Sequence, residues 1–571
     1  MSLTSPLTTL ASTSPSSFYT ATAGTPSNVE DLTTASSPDD CGAPSSSYRG
    51  ARQLPRELSE HCQIYLEEQL YTAAINLLNS LLTAGESQPY APTKNALVPP
   101  PRQIACLATL AVHPSHSSRL SKGSHYEVSS QSLAYLRNLL AIVGPVNANL
   151  RAAFEFRDQR SRRGNMFDVV NSDEEDSDED YIRGSMANSG SVWTRGQDFW
   201  KVLGWAFNCS ALYPHRWKYW RPWLEYLVEV LDADWEERKR LDIEVFDRSG
   251  GSEPFKYTML QNSILMHYVM PRNSRSNPLK PIMSALFADG SLSSLTVYPE
   301  VFEKERKGIS KDTNKRKRAQ LDIEKSKFGD YYDDDSLSSS PVSEPPTPQK
   351  PQELLGQENE NPSWATTCLA ESVSLRMRLF ALLSRAADDI PEKPWVPLHD
   401  LYDEFARRIS SLPLPAFSMF LAASSRLPDI VHVSILRVLM PGFLPASAPD
   451  PGKVDPEVDD KNGISVLILE KCFLPFAARA VVEVNAKLSL VLEGMLHALY
   501  IQSGILYTRS LEKAVEIGIQ KRQEKAKPKK TSRGKVVRLD EEAARDTLAA
   551  SAHRLLTLMS VIKLQSPDDD D

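Results

Sequence analysis

Residues 214–240 read PHRWKYWRPWLEYLVEVLDADWEERKR, and this tryptophan-rich stretch decides the fold. Its apolar side chains recur every three or four residues, at Trp217, Trp220, Leu224, Val228, Leu231 and Trp235. That spacing places side chains on one face of a helix or on two facing ones. Because each buried aromatic side chain removes about 150 to 250 Å² from water, the stretch predicts a helix in a hydrophobic core.

Seven of the nine tryptophans lie between Trp193 and Trp235, and most of these form a predicted structural cluster. The cluster consists of Trp200, Trp205, Trp217, Trp220, Trp223 and Trp235. Three cations, Arg216, Lys218 and Arg221, lie between these tryptophans in the sequence and allow two other interpretations. Such a face could form a groove for a protein partner, or it could stack bases while the cations contact phosphates. The core interpretation is favoured because of the large area that these rings would bury.

Helical spacing dominates the rest of the chain, and strand-like alternation over five or more residues is hard to find. The predicted class is all-α, with helical hairpins that form an α-solenoid or an irregular HEAT- or tetratricopeptide-like repeat interrupted by disordered linkers. Pro222 is expected in the first turn of its helix, where a missing N–H costs nothing. Predicted helices cover a hairpin at 58–84, then 197–212, 221–240, 256–269, 279–287, 371–387, 398–410, 416–425, 429–440, 464–479 with a break near Pro475, 485–502, 509–525 and 540–562.

The N-terminal hairpin matches only half of the tetratricopeptide repeat pattern. Ala74 and Leu78 lie in the predicted second helix, and apolar residues occur again about 34 residues after each of them, which is the length of this repeat. The first-helix position Tyr65, moved by the same spacing, falls on Pro99, and proline breaks the middle of a helix. The segment is therefore interpreted as a generic helical hairpin.

Composition divides the chain into helical blocks and linkers. Ser, Thr and Pro dominate the N-terminal tail, eight carboxylates lie between Asp168 and Asp180, and a later stretch mixes basic runs with prolines. Segments of this kind bury too little apolar area to offset their chain entropy. The predicted units are a disordered tail at 1–50, a helical hairpin block at 51–157, an acidic linker at 158–190, a Trp-rich block at 191–301, a linker at 302–362 and a C-terminal block at 363–571.

Overall charge and cysteine content exclude several classes of protein. The chain has 65 basic and 73 acidic residues, so its net charge of −8 excludes a uniformly basic nucleic-acid coat. Its six cysteines form no closely spaced pair, which indicates neither a disulfide framework nor a four-ligand zinc site. The first 48 residues lack Lys and Arg, unlike a signal or transit peptide, and no apolar window is long enough for a membrane span. We therefore expect no membrane partner.

Common catalytic signatures are absent from the sequence. We find no phosphate-binding loop, nucleophile elbow, H-E-x-x-H zinc motif or dinucleotide fingerprint. His113 and His116 lie near Cys106 and His125, but their spacing matches no familiar zinc pattern and predicts a solvated loop. No catalytic, metal-binding or cofactor-binding residue is predicted, and no enzymatic activity is expected.

Two features of the linker at 302–362 indicate regulation in the nucleus. Lys315, Arg316, Lys317 and Arg318 follow Lys304, Arg306 and Lys307 at a spacing that resembles a bipartite nuclear-import signal. Lysines and arginines of such a signal bind acidic pockets of an import carrier. The alternative interpretation is a solvated run of charges.

Four sites are candidates for phosphorylation by kinases. Thr347 begins a Thr-Pro-Gln-Lys motif that resembles a cyclin-dependent kinase site, and Ser340 also precedes a proline. Ser172 and Ser177 precede acidic residues, as sites of acidophilic kinases do. Each phosphate would add about −1.5 to −2 charges, enough to create a docking point for arginines.

The strongest local charge lies at 521–538. Its cations are Lys521, Arg522, Lys525, Lys527, Lys529, Lys530, Arg533, Lys535 and Arg538, with Glu524 as the only acid. Such a segment could bind nucleic acid weakly and without sequence preference by releasing counterions. It could instead act as a second import signal, pair with the acidic linker, or remain solvated.

Together these features predict a non-enzymatic nuclear scaffold or adaptor subunit of a multiprotein complex, regulated by phosphorylation of its linkers. We expect the complex to act in chromatin, DNA repair or the cell cycle. This expectation comes more from association than from a physical argument. A nucleic-acid-binding protein that uses 521–538 is the alternative, and an enzyme with an unfamiliar helical site is the third hypothesis.

Overall fold

Helices supply almost all the regular structure in the described part of this chain. The computed structural model describes residues 48–84, 95–118, 126–156, 182–250, 255–270, 277–306, 367–391, 394–460, 463–479, 482–527 and 539–565. These residues contain 22 α-helices and belong to one compact unit, Ser46–Asp571. The predicted all-α character is confirmed.

The elements follow the chain in three groups. The first group is β1 (Ala51–Gln53), α1 (Arg56–Glu67), α2 (Tyr71–Thr83), β2 (Ala96–Val98), α3 (Pro101–Val112), α4 (Tyr126–Ile142) and α5 (Leu150–Ala153). The second is α6 (Val192–Arg195), α7 (Phe199–Leu212), α8 (Pro214–Arg248), α9 (Thr258–Gln261), α10 (Ile264–Val269), α11 (Leu279–Leu286) and α12 (Leu292–Val297).

The third group begins after residue 366. It is α13 (Thr367–Asp388), α14 (Leu398–Ser411), α15 (Leu414–Ser424), α16 (Asp429–Leu439), α17 (Pro451–Val454), α18 (Pro456–Asp459), α19 (Val466–Ile468), α20 (Val482–Ser503), α21 (Arg509–Ala526) and α22 (Leu539–Gln565). A π-helix, Leu469–Phe473, follows α19, and 3₁₀ turns lie at Pro114–His116, Asn188–Gly190 and Met440–Gly442.

Two short strands were not predicted. β1 and β2 pair in parallel, with Ala51 opposite Ala96 and Gln53 opposite Val98. Each strand has three residues, which is too short to show the alternation by which a strand is recognised in sequence.

Helix α8 is longer than the predicted 221–240, and Pro222 lies inside it instead of in its first turn. Pro214 occupies the first-turn position, where the fixed φ of proline favours helix formation. Pro222 cannot donate to the carbonyl of Lys218 four residues earlier. Because Lys218 is exposed, water can bind that carbonyl.

The predicted tryptophan cluster lies in the interior. All six members are buried, and Trp205, Trp220, Trp223 and Trp235 have no exposed surface. The indole Nε1–H of Trp223 donates to the carbonyl of Ala108 in α3 at 2.9 Å, and that of Trp235 donates to Oδ2 of Asp389, just after α13, at 2.8 Å. Helix α8 contacts α3, α4, α7, α9, α10 and α13, so all three groups meet on it.

Carboxylates of α8 explain why the predicted helix 256–269 is two helices. Asp242 accepts hydrogen bonds from the backbone N–H groups of Met259 and Leu260, at 2.9 and 3.0 Å. Asp234 accepts from the N–H of Ile264 at 2.8 Å. Each carboxylate satisfies N–H groups of a helix start, so α9 and α10 begin separately.

The predicted helix 464–479 is also replaced by shorter elements. Ser465 caps α19 by accepting from the N–H of Ile468 at 3.2 Å. The chain then widens into the π-helix, in which the N–H of Leu474 donates to the carbonyl of Leu469 at 2.8 Å. Regular structure ends before Pro475, where the break was predicted. The remaining predicted helices lie within a few residues of observed ones.

Helices α8 and α13 run parallel and in register. Arg221 pairs with Glu371 and Lys239 pairs with Asp389, both at 2.8 Å and both 150 residues apart along the chain. Between these pairs, Arg385 contacts the carboxylates of Asp232 and Glu236. Exposed ion pairs contribute about 0 to 1 kcal/mol each, so they fix the register more than they supply stability.

Replacing Trp223 by Ala should lower the free energy of unfolding by about 3 to 5 kcal/mol, because it leaves a cavity between α3 and α8. Trp223→Phe retains most of the ring volume but loses the bond to Ala108, and should cost less. Denaturant unfolding of the two variants measures the difference. A Trp223→Ala protein that unfolds like the parent but loses a protein partner would instead support the groove interpretation.

Candidate functional site

A buried polar cluster lies at the start of α8. We call it the Arg216 junction; it consists of Val112, Ser117, Ser118, Arg216, Phe302 and Glu305. The Arg216 guanidinium is fully buried, and its Nη1 donates to the hydroxyls of Ser117 at 2.8 Å and Ser118 at 3.2 Å. Its Nη2 donates to the carbonyl of Val112 at 2.8 Å and pairs with the carboxylate of Glu305.

This arrangement corrects the idea that Arg216 belongs to an exposed aromatic face. The side chain points inward, 5.7 Å from the ring centre of Trp220. A buried cation requires hydrogen-bond partners, and the turn after α3 and the carboxylate of Glu305 supply them. Arg216 precedes Trp217 directly in sequence, but nothing local shows that a carboxylate 89 residues away reaches it.

The first residues of the predicted linker are part of the core. Phe302 is buried, with its ring 4.7 Å from that of His113, and Glu305 is also buried. Burial raises the pKa of the Glu305 carboxyl above its ordinary value, and Arg216 opposes that shift. The folded structure therefore continues to Arg306, beyond the predicted boundary at 302.

The junction also positions the first part of the predicted import signal. Lys304 is exposed and has a φ of 60°, in a turn whose backbone N–H lies 3.4 Å from Oε1 of Glu300. Arg306 lies 4.0 Å from the Glu300 carboxylate and 5.8 Å from the ring centre of Trp205. Lys304 and Arg306 thus belong to a folded turn. Lys307, Lys315, Arg316, Lys317 and Arg318 lie outside the described residues.

The candidate phosphorylation sites also lie outside the described residues. They are Ser172, Ser177, Ser340 and Thr347. Their assignment remains a prediction from sequence.

The basic segment at 521–538 divides between the end of α21 and residues beyond it. Lys521 donates to the carbonyl of Pro475 at 3.1 Å, while Lys525 and Lys527 are exposed. The other cations, Lys529, Lys530, Arg533, Lys535 and Arg538, lie outside the described residues.

Arg522 is buried, which removes it from any surface that contacts phosphates. Its Nη1 donates to the carbonyls of Leu474 at 3.1 Å and Phe476 at 3.2 Å, and burial lowers its pKa to about 10. The pattern that could have predicted this is Leu511, Val515, Gly518 and Arg522, spaced along one helical face. A Cβ on Gly518 would lie 1.8 Å from the carbonyl oxygen of Leu474, so only glycine allows this approach.

Three histidines of the described chain pack against neighbouring side chains. His113 and His116 are half-buried instead of lying in a solvated loop, and His116 packs against the ring of Tyr71 at 5.0 Å. His432 lies 3.0 Å from the Ser424 hydroxyl, but both residues are buried and join α15 to α16. Within the described ranges, no three His, Cys, Asp or Glu side chains could hold a metal together.

Comparison with known proteins gives no relative for this geometry. No family model matches the chain, and neither the curated proteins nor the solved structures contain a match. Of the helices that the structure describes, none has both the length and the apolarity to cross a bilayer.

Glu305→Ala should lower the free energy of unfolding by about 3 to 5 kcal/mol, because it leaves the buried charge of Arg216 without its carboxylate. Glu303→Ala is the matched control, since Glu303 is 79% exposed and pairs with Arg195 at 3.5 Å. A surface pair of that kind contributes about 0 to 1 kcal/mol. Urea unfolding measures both variants, and equal losses would contradict a buried ion pair at the junction.

Proposed function

We propose that this protein is a non-enzymatic nuclear scaffold or adaptor subunit of a multiprotein complex. In this proposal the helical body binds protein partners, while the segments between its groups carry an import signal and receive phosphates. The finer architecture that we propose is an irregular helical repeat. Helix α8 reaches elements of all three groups, which favours the irregular form over a regular α-solenoid with contacts only between neighbours.

Exposed apolar side chains at one end of α20 and α22 are the observation that carries the proposal. Ile501, Leu506 and Leu564 are 65%, 70% and 87% exposed. The hydroxyl of Tyr500 donates to Oε1 of Gln565 at 2.7 Å, and Nζ of Lys563 lies 5.0 Å from the ring centre of Tyr507. These contacts bring the three apolar residues to the same end of the body. Exposed apolar side chains at one end of a folded body are candidates for a protein–protein interface.

The position of the buried groups weighs against the nucleic-acid alternative. The aromatic rings of α8 and the guanidinium groups of Arg216 and Arg522 are used inside the fold. The nucleic-acid alternative therefore loses both the exposed tryptophan face and one of its nine cations. It keeps Lys525, Lys527 and the cations that follow them.

Leu506→Asp with Leu564→Asp should weaken the binding of a protein partner about tenfold or more, because both place charge in an apolar contact. Leu292→Asp is the matched control, since Leu292 is 80% exposed on α12, in the second group of elements. Quantitative affinity purification of the full chain measures which partners each variant retains. If the double variant and the control retain the same partners in the same amounts, this surface is not the binding site.

Changing all four residues of the cluster 315–318 to Ala should move a fluorescent fusion toward the cytoplasm. Lys304→Ala with Arg306→Ala should leave it in the nucleus, because the backbone of Lys304 and the guanidinium of Arg306 are held in a folded turn by Glu300. The cluster at 527–530 must be changed in the same background, since it could compensate. A nuclear signal that persists in the combined variant would contradict the import proposal.

A further inference from the structure

Residues 307–366 lie outside the described part of the chain. The described residues just before and just after this stretch contact the same region of α8. Before this stretch, Glu305 pairs with Arg216 in the first turn of α8. After it, α13 begins at Thr367, and Glu371 pairs with Arg221 at 2.8 Å. Arg216 and Arg221 are five residues apart, which is about 7.5 Å along a helix axis. Both attachment points therefore lie at the N-terminal end of α8.

The two pieces of chain, 48–306 and 367–565, share buried anchors. Arg376 of α13 is fully buried and donates to the carbonyls of Leu286 at 2.6 Å and Ala288 at 2.8 Å, at the end of α11. Its guanidinium lies 3.9 Å from the ring centre of Phe207 in α7. A side chain of the second piece thus completes the hydrogen bonding of a helix end in the first piece.

Further contacts between the pieces surround this anchor. The rings of Phe287 and Phe420 stack with centroids 5.3 Å apart, and Trp235 donates to Asp389. Helix α13 also packs along both α7 and α8. Buried aromatic and guanidinium anchors are the groups that give stable protein–protein interfaces most of their affinity.

We propose that the folded body is a self-sufficient association of these two pieces, which stays assembled without the covalent connection through 307–366. The second piece fits the first as a binding partner would, with Arg376 as its central anchor. This inference stands on the interface alone and does not depend on the proposed function. It implies that the import and kinase motifs between 307 and 366 can be removed while the body keeps its structure.

A cut within the full-length chain tests this proposal directly. A protease recognition sequence inserted between Ser339 and Ser340 allows the folded protein to be cleaved after purification. We expect the two products to elute together from a size-exclusion column at micromolar concentration, and to do so in 1 M salt, because the main anchors are buried. Separation or aggregation of the cleaved products would overturn the proposal.

Two arginine variants show whether the expected interface holds the pieces. Arg376→Met leaves the carbonyls of Leu286 and Ala288 without these donors, so its cleaved products should separate. Arg378→Met, two residues along the same helix at an exposed position, should leave them together. Circular dichroism before cleavage shows whether each uncut variant is folded. If the cleaved products remain together in both variants, Arg376 is not the anchor. If they separate in both variants, the specific interface is not what holds the pieces.

Discussion

The buried tryptophan face of α8 is the constraint on which the rest of the structure depends. Trp223 is bonded to a carbonyl of α3, and Trp235 is bonded to a carboxylate at the end of α13. Buried indole N–H groups in folded proteins usually have such a partner. The two bonds therefore fix how the first and last groups of helices lie along α8. Asp234 and Asp242 extend this control by setting where α9 and α10 begin.

Three buried arginines each donate hydrogen bonds to carbonyls at a helix end. Arg216, Arg376 and Arg522 each donate to a carbonyl at or just beyond a helix end, at Val112, Leu286 and Leu474. The last carbonyls of a helix have no partner within the helix and carry partial negative charge. Burial lowers the pKa of Arg376 to about 9 and that of Arg522 to about 10, which reflects the cost of removing these cations from water. The contacts join elements that are distant in sequence.

Burial also separates the proposed roles of different parts of the chain. Charges within the body, such as Arg216 and Arg522, hold helices together and are covered. The cluster 315–318 and the candidate phosphorylation sites lie between or beyond the described helices. A protein organised in this way can bind partners on its helical surface while signals act on other parts of the chain. The Arg216 junction lies at one boundary between these parts and determines that Lys304 and Arg306 belong to the body.

Local sequence was sufficient for the helical class, because apolar residues that recur every three or four positions can bury a face only as helices. It also indicated the core position of the tryptophans and most helix bounds to within a few residues. It did not predict the three-residue strands, the split of 256–269 or the inward position of Arg216. Each of these depends on partners far along the chain: β1 requires β2, α9 and α10 require carboxylates of α8, and Arg216 requires Glu305. Tertiary structure alone decided them, because the free energy of a buried polar group depends on hydrogen-bond partners that only the complete fold brings within reach.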